Sequence, residues 1–122
     1  MKQSRVKTYH LRTRTTTKGA ECDTYEVYED AVPFRGEVWA AGGRVQAELY
    51  GERLSYVRNV RIEGSYVITT DREGILHYVY PDGLDIVESD GVCIYVPPDQ
   101  PPDYKVISIR PVCPLRLECM KL

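Results

Sequence analysis

Two histidines and four cysteines are the side chains in these 122 residues best suited to nucleophilic or metal chemistry, and their spacing supports neither. A nucleophilic site needs a nucleophile, a base and an orienting group within mutual reach. His10 and His77 each stand in a β-like run with no such company, so both read as ordinary strand histidines. No G-x-S-x-G, phosphate-loop or dinucleotide fingerprint occurs. The cysteines fall at 22, 93, 113 and 119, without a C-x-x-C pair or histidines at zinc spacing. Cys113 and Cys119 share a strand parity but lie too far apart along it to bridge. All four are expected to be free thiols, mostly buried, in a reducing compartment. The chain reads as a non-enzyme with no metal or organic cofactor.

Charge offers two further chemistries. The acidic run "PDGLDIVESDG" gathers the oxygens a hard cation wants, but it lacks the alternating acids and closing glutamate of a calcium loop. Two turns and a solvated edge account for it. At the other end, residues 1–18 carry six basic side chains and no acid, whereas residues 81–103 carry six acids and no base. Arg12, Arg14 and His10 share a parity and could track phosphates, which makes a small OB-like barrel that binds nucleic acid the alternative reading. Tyr9 lies on the opposite face, however, so the stripe lacks stacking aromatics, and the whole chain has a net charge of -2. Such asymmetry bears on association more than on fold.

The elements that must position these groups are mostly strands. Length and composition fit one domain spanning 1–122. Aromatic content is nearly all tyrosine, ten against one Phe and one Trp, which suits half-buried sheet faces and contact surfaces. Alternation predicts strands over Val6–Thr17, Thr24–Asp30, "GEVWAA", Leu54–Glu63, two arms around Asp71–Gly74, Val92–Val96, Tyr104–Arg110 and Leu115–Met120. Pro33 is expected to interrupt the pattern. In the final hairpin, Ile107 and Ile109, then Leu115, Leu117 and Cys119, are the expected core sides. After Gly42-Gly43, the segment "RVQAELY" prefers helix, with Val45 and Leu49 four apart. The expected fold is mainly β: a small barrel or sandwich of about seven to nine short antiparallel strands with one short helix. No apolar run reaches membrane-spanning length, and the opening "MKQSRVKTYH" has no secretory core, so no membrane contact is expected.

In this order the segments resemble the head closure proteins of tailed bacteriophages and prophages, also called head–tail joining or stopper proteins. The resemblance rests on "VKTYHLRTRTTTKGAECD", on "GEVWAAGG" continuing as "GRVQAELYGERLSY", and on "SDGVCIYV" followed by "PDYKVISIRP" and "LRLECMKL". The continuation is closest to the subgroup from phages of Gram-positive bacteria. The segment "SYVITTDREGILHYVYPDGLDIV" is an added hairpin where many relatives have a shorter connection. The resemblance implies structural work in the virion's head–tail connector, after synthesis in the bacterial cytoplasm. Members assemble, often as a ring of twelve, below the portal and adaptor proteins; the ring helps retain packaged DNA, which it meets by proximity. It also docks the tail through the tail completion protein, and a subunit can stay monomeric until the portal presents its template.

A ring needs two different patches on each subunit. Charge suggests Arg12 and Arg14 of one copy facing Asp85, Glu88 and Asp90 of the next or of the adaptor. The plainer alternative keeps both segments within one subunit. The helical turn is expected to lay Val45 and Leu49 over one barrel end while showing Glu48, Glu52 and Arg53 outward. Two loops are candidates for the channel: "TTDREG", with Asp71, Arg72 and Glu73, and "PPDQPPD", with Pro98, Asp99 and Gln100. Reversing Arg12 and Arg14 to Glu is expected to weaken connector assembly, read as the fraction of heads that acquire tails.

Overall fold

Alternating β-branched and aromatic residues make strands along most of the chain, and their non-local pairing decides the architecture. The computed structural model describes residues 5–18 and 24–122, with side chains described outside 16–18 and 24–26. In chain order the elements are β1 (Lys7–Arg12), β2 (Arg14–Lys18), β3 (Thr24–Tyr28), β4 (Val32–Ala40), α1 (Gly43–Tyr50), a 3-10 turn (Gly51–Tyr56), β5 (Val57–Ile62), β6 (Val67–Thr70), β7 (Leu76–Val79), β8 (Asp85–Ile86), β9 (Gly91–Cys93), β10 (Tyr104–Arg110) and β11 (Leu115–Lys121). Six of them close a barrel in the order β1-β4-β5-β11-β10-β9. All its pairings are antiparallel. Beside it stand the hairpin β2-β3 and the three-stranded sheet β6-β7-β8. The mainly β barrel with one short helix is as expected. The expected turn "KGAECD" lies largely, and the expected free Cys22 wholly, outside the described residues.

The barrel is filled by the inward parity of its strands. Leu11, Phe34, Val60, Ile62, Val106, Leu115 and Leu117 are all buried, and the other sheet adds Tyr78, Tyr80, Leu84 and Ile86 to the same core. The added hairpin is therefore packed into the fold rather than appended to it. Of the three described cysteines all are free; Cys93 and Cys119 are buried and Cys113 is exposed.

Four local expectations change. The run Val6–Thr17 splits at Thr13, because Thr13 O accepts Glu29 N and the Arg14 N–H turns to the Asp90 carboxylate. β1 thus stays in the barrel while β2 leaves it. β4 runs through Pro33, which pairs with His10 at a level beyond the end of β5, so the missing N–H breaks no ladder. β5 begins only at Val57, since Leu54–Tyr56 continues the helical path as a 3-10 turn. Ile107 is not a core residue. Val106 pairs with Cys119 and Ser108 with Glu118, so Ile107 is the extra residue of a β-bulge. Tyr104 and Val106 point inward before it, and Ile109 packs on the core after it.

Close approach sets one residue absolutely. A Cβ at Gly36 would collide with the carbonyl oxygen of Arg61 on the adjacent strand. The oxygen is part of the backbone and the Cβ is fixed rigidly by it, so neither can swing away. Gly36→Ala is expected to destabilise by about 2 kcal/mol or more, the cost of overpacking a tight site, read as a lowered urea midpoint.

Candidate functional site

The basic and acidic segments meet inside one chain. β1 pairs with β9 through His10 with Cys93, Leu11 with Val92 and Arg12 with Gly91. Arg12 Nη1 donates to Glu29 O at 3.2 Å and Nη2 to Pro98 O at 2.6 Å. Asp90 is 2% exposed; its Oδ1 accepts the Arg14 N–H at 3.1 Å and its Oδ2 the Val87 N–H at 2.9 Å. Burial outweighs those two donors and pushes its carboxyl up to about 6. Arg12 and Asp90 are thus held by internal partners, and reversal of Arg12 would also break its hold on the two loops. Glu88 is exposed, and Asp85 faces His77.

The helix docks the other way round from expectation. Val45 and Leu49 are 68% and 65% exposed, while Gln46 is 5% exposed. α1 lies on the outer wall, not over a barrel end, and that wall is polar beneath it. Gln46 Nε2 donates to Asn59 Oδ1 at 2.7 Å, Asn59 Nδ2 donates back to Gln46 Oε1 at 3.2 Å, and the Gly42 N–H adds a third bond at 3.0 Å. One turn on, the Tyr50 hydroxyl donates to the buried Glu118 carboxylate. These bonds fix Gln46 and Tyr50 inward and leave Val45 and Leu49 facing solvent. Glu48 pairs with Arg44 at 3.3 Å, and Glu52 and Arg53 are exposed.

The two candidate loops differ. The 97–103 loop is pinned: Pro98 O accepts Arg12, Pro102 packs where a Gly91 side chain would go, and the Asp103 carboxylate accepts the Ile94 and Tyr95 N–H groups. Asp99 and Gln100 remain exposed on it. The β6-β7 tip is exposed from Val67 to Leu76, Arg72 and Glu73 included. Asp71 braces it by accepting the Glu73 and Ile75 N–H groups.

An arginine row that the sequence reading missed crosses the outer wall. In register, Glu37 of β4 faces Arg61 of β5, Arg61 faces Arg116 of β11, and Arg116 faces Arg110 of β10. Neighbouring strands are about 4.8 Å apart, and like charges directly opposite are destabilising. Contacts with Trp39 and Glu118 offset this in part. The Trp39 ring lies 4.9 Å from the Arg61 guanidinium and 5.3 Å from that of Arg116. Arg110 Nε sits 3.4 Å from Glu118 Oε1, and Arg5 reaches Glu37 at 3.8 Å. Arg116 remains short of acceptors: its Nε is buried without a hydrogen-bond partner. Burial, then Arg110 and Arg61, draw it below the usual arginine range. Arg5, Glu37, Trp39, Arg61 and Arg116 line an open cleft of about 360 Å³. Hairpin register alone could have paired Arg110 with Arg116; Arg61 joins them only through the β5-β11 pairing.

His77 departs from an ordinary strand histidine. Its Nδ1 lies 2.9 Å from Asp85 Oδ2 and its Nε2 2.9 Å from Asp71 Oδ2. Both contacts are hydrogen bonds only when both ring nitrogens carry protons, and the two carboxylates raise the imidazole above its usual range. Among the described residues no group of three His, Cys, Asp or Glu could hold a metal. No described helix is long and apolar enough to cross a membrane. Comparison with protein-family models, curated proteins and solved structures finds no match.

Asp90 and His77 push stability in one direction. Asp90 takes a proton near pH 6 in the fold, against 3.8 ordinarily, so the folded state binds more protons between those values. His77 does the same from 6.5 upward. Stability is therefore expected to fall as pH rises through both windows. Urea midpoints should be higher at pH 5 than at pH 8, with Asp85→Asn flattening the upper part of the profile and Asp90→Asn the lower.

Proposed function

We propose that this chain is a structural subunit of a phage head–tail connector, forming a ring below the portal and adaptor that helps retain packaged DNA and docks the tail. The supporting observation is a pair of unlike apolar patches left exposed at two separate places on the surface. One is the Val45 and Leu49 face of α1, which sits over Asn59 and Glu118. The other is the β6-β7 hairpin beside the β10-β11 turn, where Val67, Ile68, Ile75 and Leu76 are 62, 49, 41 and 48% exposed. β6 is also an edge strand. Exposed apolar surface of this kind marks contact surfaces, and edges invite pairing. Two different patches per subunit are what a heterologous ring consumes.

The order of segments that resembles head closure proteins supports the same reading, and the barrel accommodates it. Its interior is packed with apolar side chains, and outside it Arg58 bonds the exposed Tyr95, whose ring packs edge-on against Tyr104 at 5.9 Å. The fold presents surfaces rather than a reaction vessel. Of the two candidate loops, the β6-β7 tip is the one free to project into a channel.

The test is placement in particles. Cryo-microscopy of virions is expected to show the chain as a ring between adaptor and tail, and virions lacking it would overturn the reading. Val45→Asp with Leu49→Asp should leave folding within about 0.5 kcal/mol, because both side chains are exposed. Heads complemented with that variant are expected to lose tails, counted in micrographs.

A further inference from the structure

The arginine row carries an unmet demand. Three guanidiniums stand on neighbouring strands in direct register, and folding alone gains nothing from the crowding. Such a row calls for an anion. Its length says which kind. Glu37 closes one end, and the Glu118 carboxylate sits beneath the other. A continuous phosphate backbone would run into those carboxylates, whereas one or two Asp or Glu side chains fit between them. Trp39 is already engaged by Arg61 and Arg116, so its ring does not stand free as a base-stacking platform.

The chain itself carries the matching surface on the far side. In the closed order β1-β4-β5-β11-β10-β9, β11 lies diametrically across from β1. Outside β1, one guanidinium, that of Arg12, ties together the β3-β4 and β9-β10 connections. Those connections expose Glu29, Asp30 and Asp99. The barrel thus sets an arginine row on one side and exposed carboxylates of two connections on the other, an arrangement that lets copies dock head to tail and not face to face.

We infer that the Arg61, Arg116 and Arg110 row binds the Glu29, Asp30 and Asp99 wall of a second copy of this chain. The inference rests on the connector reading, and it moves the charge contact from Arg12 and Arg14 to the opposite wall of the barrel. The bond is non-covalent: each incoming carboxylate accepts N–H groups from the accessible parts of the three guanidiniums.

Sedimentation of the full chain, up to about 1 mM and at low and high salt, tests it. Wild type is expected to associate in a salt-sensitive way. Arg116→Glu should weaken that association about tenfold or more, while its urea midpoint stays at or above the wild-type value, since an acid between Arg61 and Arg110 relieves repulsion. Arg116→Gln, which adds no new charge, should show the same loss if the glutamate disturbs the fold. A purely structural role for Arg116 would instead lower the midpoint and leave association alone. The decisive arm mixes two variants, Arg61→Glu with Arg116→Glu and Asp30→Lys with Asp99→Lys. Each alone should stay monomeric, and the mixture should associate. Three results overturn the inference: a wild type that remains monomeric throughout, an Arg116→Glu chain that associates normally, or a mixture that does not associate. So does binding of an oligothymidine strand that Arg116→Glu abolishes. Micrographs locating the chain in particles bear on the connector reading separately, so the two can fail independently.

Discussion

Closure of the barrel depends on a short seam. β9 is three residues long, and its pairing with β1 turns a curved sheet into a closed one. Ladder bonds over so short a contact are reinforced from outside. Asp90, immediately before β9, accepts the Arg14 and Val87 N–H groups with its side chain, and its own carbonyl accepts Val106 N. Gly91 admits Pro102 and Tyr28, which would stand 2.5 and 2.9 Å from any Cβ there. A buried carboxylate with a raised pKa is thus placed where the chain leaves the barrel for the β2-β3 hairpin. Desolvating it costs stability, but without it the freed Arg14 and Val87 donors would lose their acceptor.

The outer wall follows a different rule. A barrel of this size fills its inside with one parity of each strand, so the other parity must be solvated or covered. Over Asn59 and Glu118 the cover is α1, and the match is polar to polar. A helix seated by hydrogen bonds can turn its apolar stripe to solvent without losing its place. Beyond the helix the wall is uncovered, and there the arginines line up. Both departures from ordinary patterning, an outward apolar stripe and a run of like charges, lie on the same wall. Neither improves the isolated fold, and each is the kind of local conflict that function accounts for.

What the sequence made legible was what period and turn chemistry report. The final hairpin, the arms around Asp71–Gly74, the helix after Gly42-Gly43 and the mainly β class all follow from neighbours a few residues apart. What it hid was set by partners far along the chain. Ile107 looked like core because nothing local announces a bulge. Val45 and Leu49 looked like the buried face because an apolar pair four apart usually is; only the pairing that puts Asn59 and Glu118 beneath the helix makes Gln46 the inward residue. The charge blocks at 1–18 and 81–103 were visible in composition. That they would meet inside one subunit required the β1-β9 closure.

The same logic bears on where association resides. Charges that a chain pairs with itself are spent on folding, and Arg12 and Asp90 fall in that class. Charges that remain in conflict after folding are the ones with binding left to give. By that criterion the compositional asymmetry is a sign of closure, and the proposed association surface lies where composition looks ordinary. Arg61, Arg110 and Arg116 are scattered through three strands, and only the barrel brings all three together. A surface built this way exists only in the folded state, so a partner that recognises it recognises the finished barrel and not the unfolded chain.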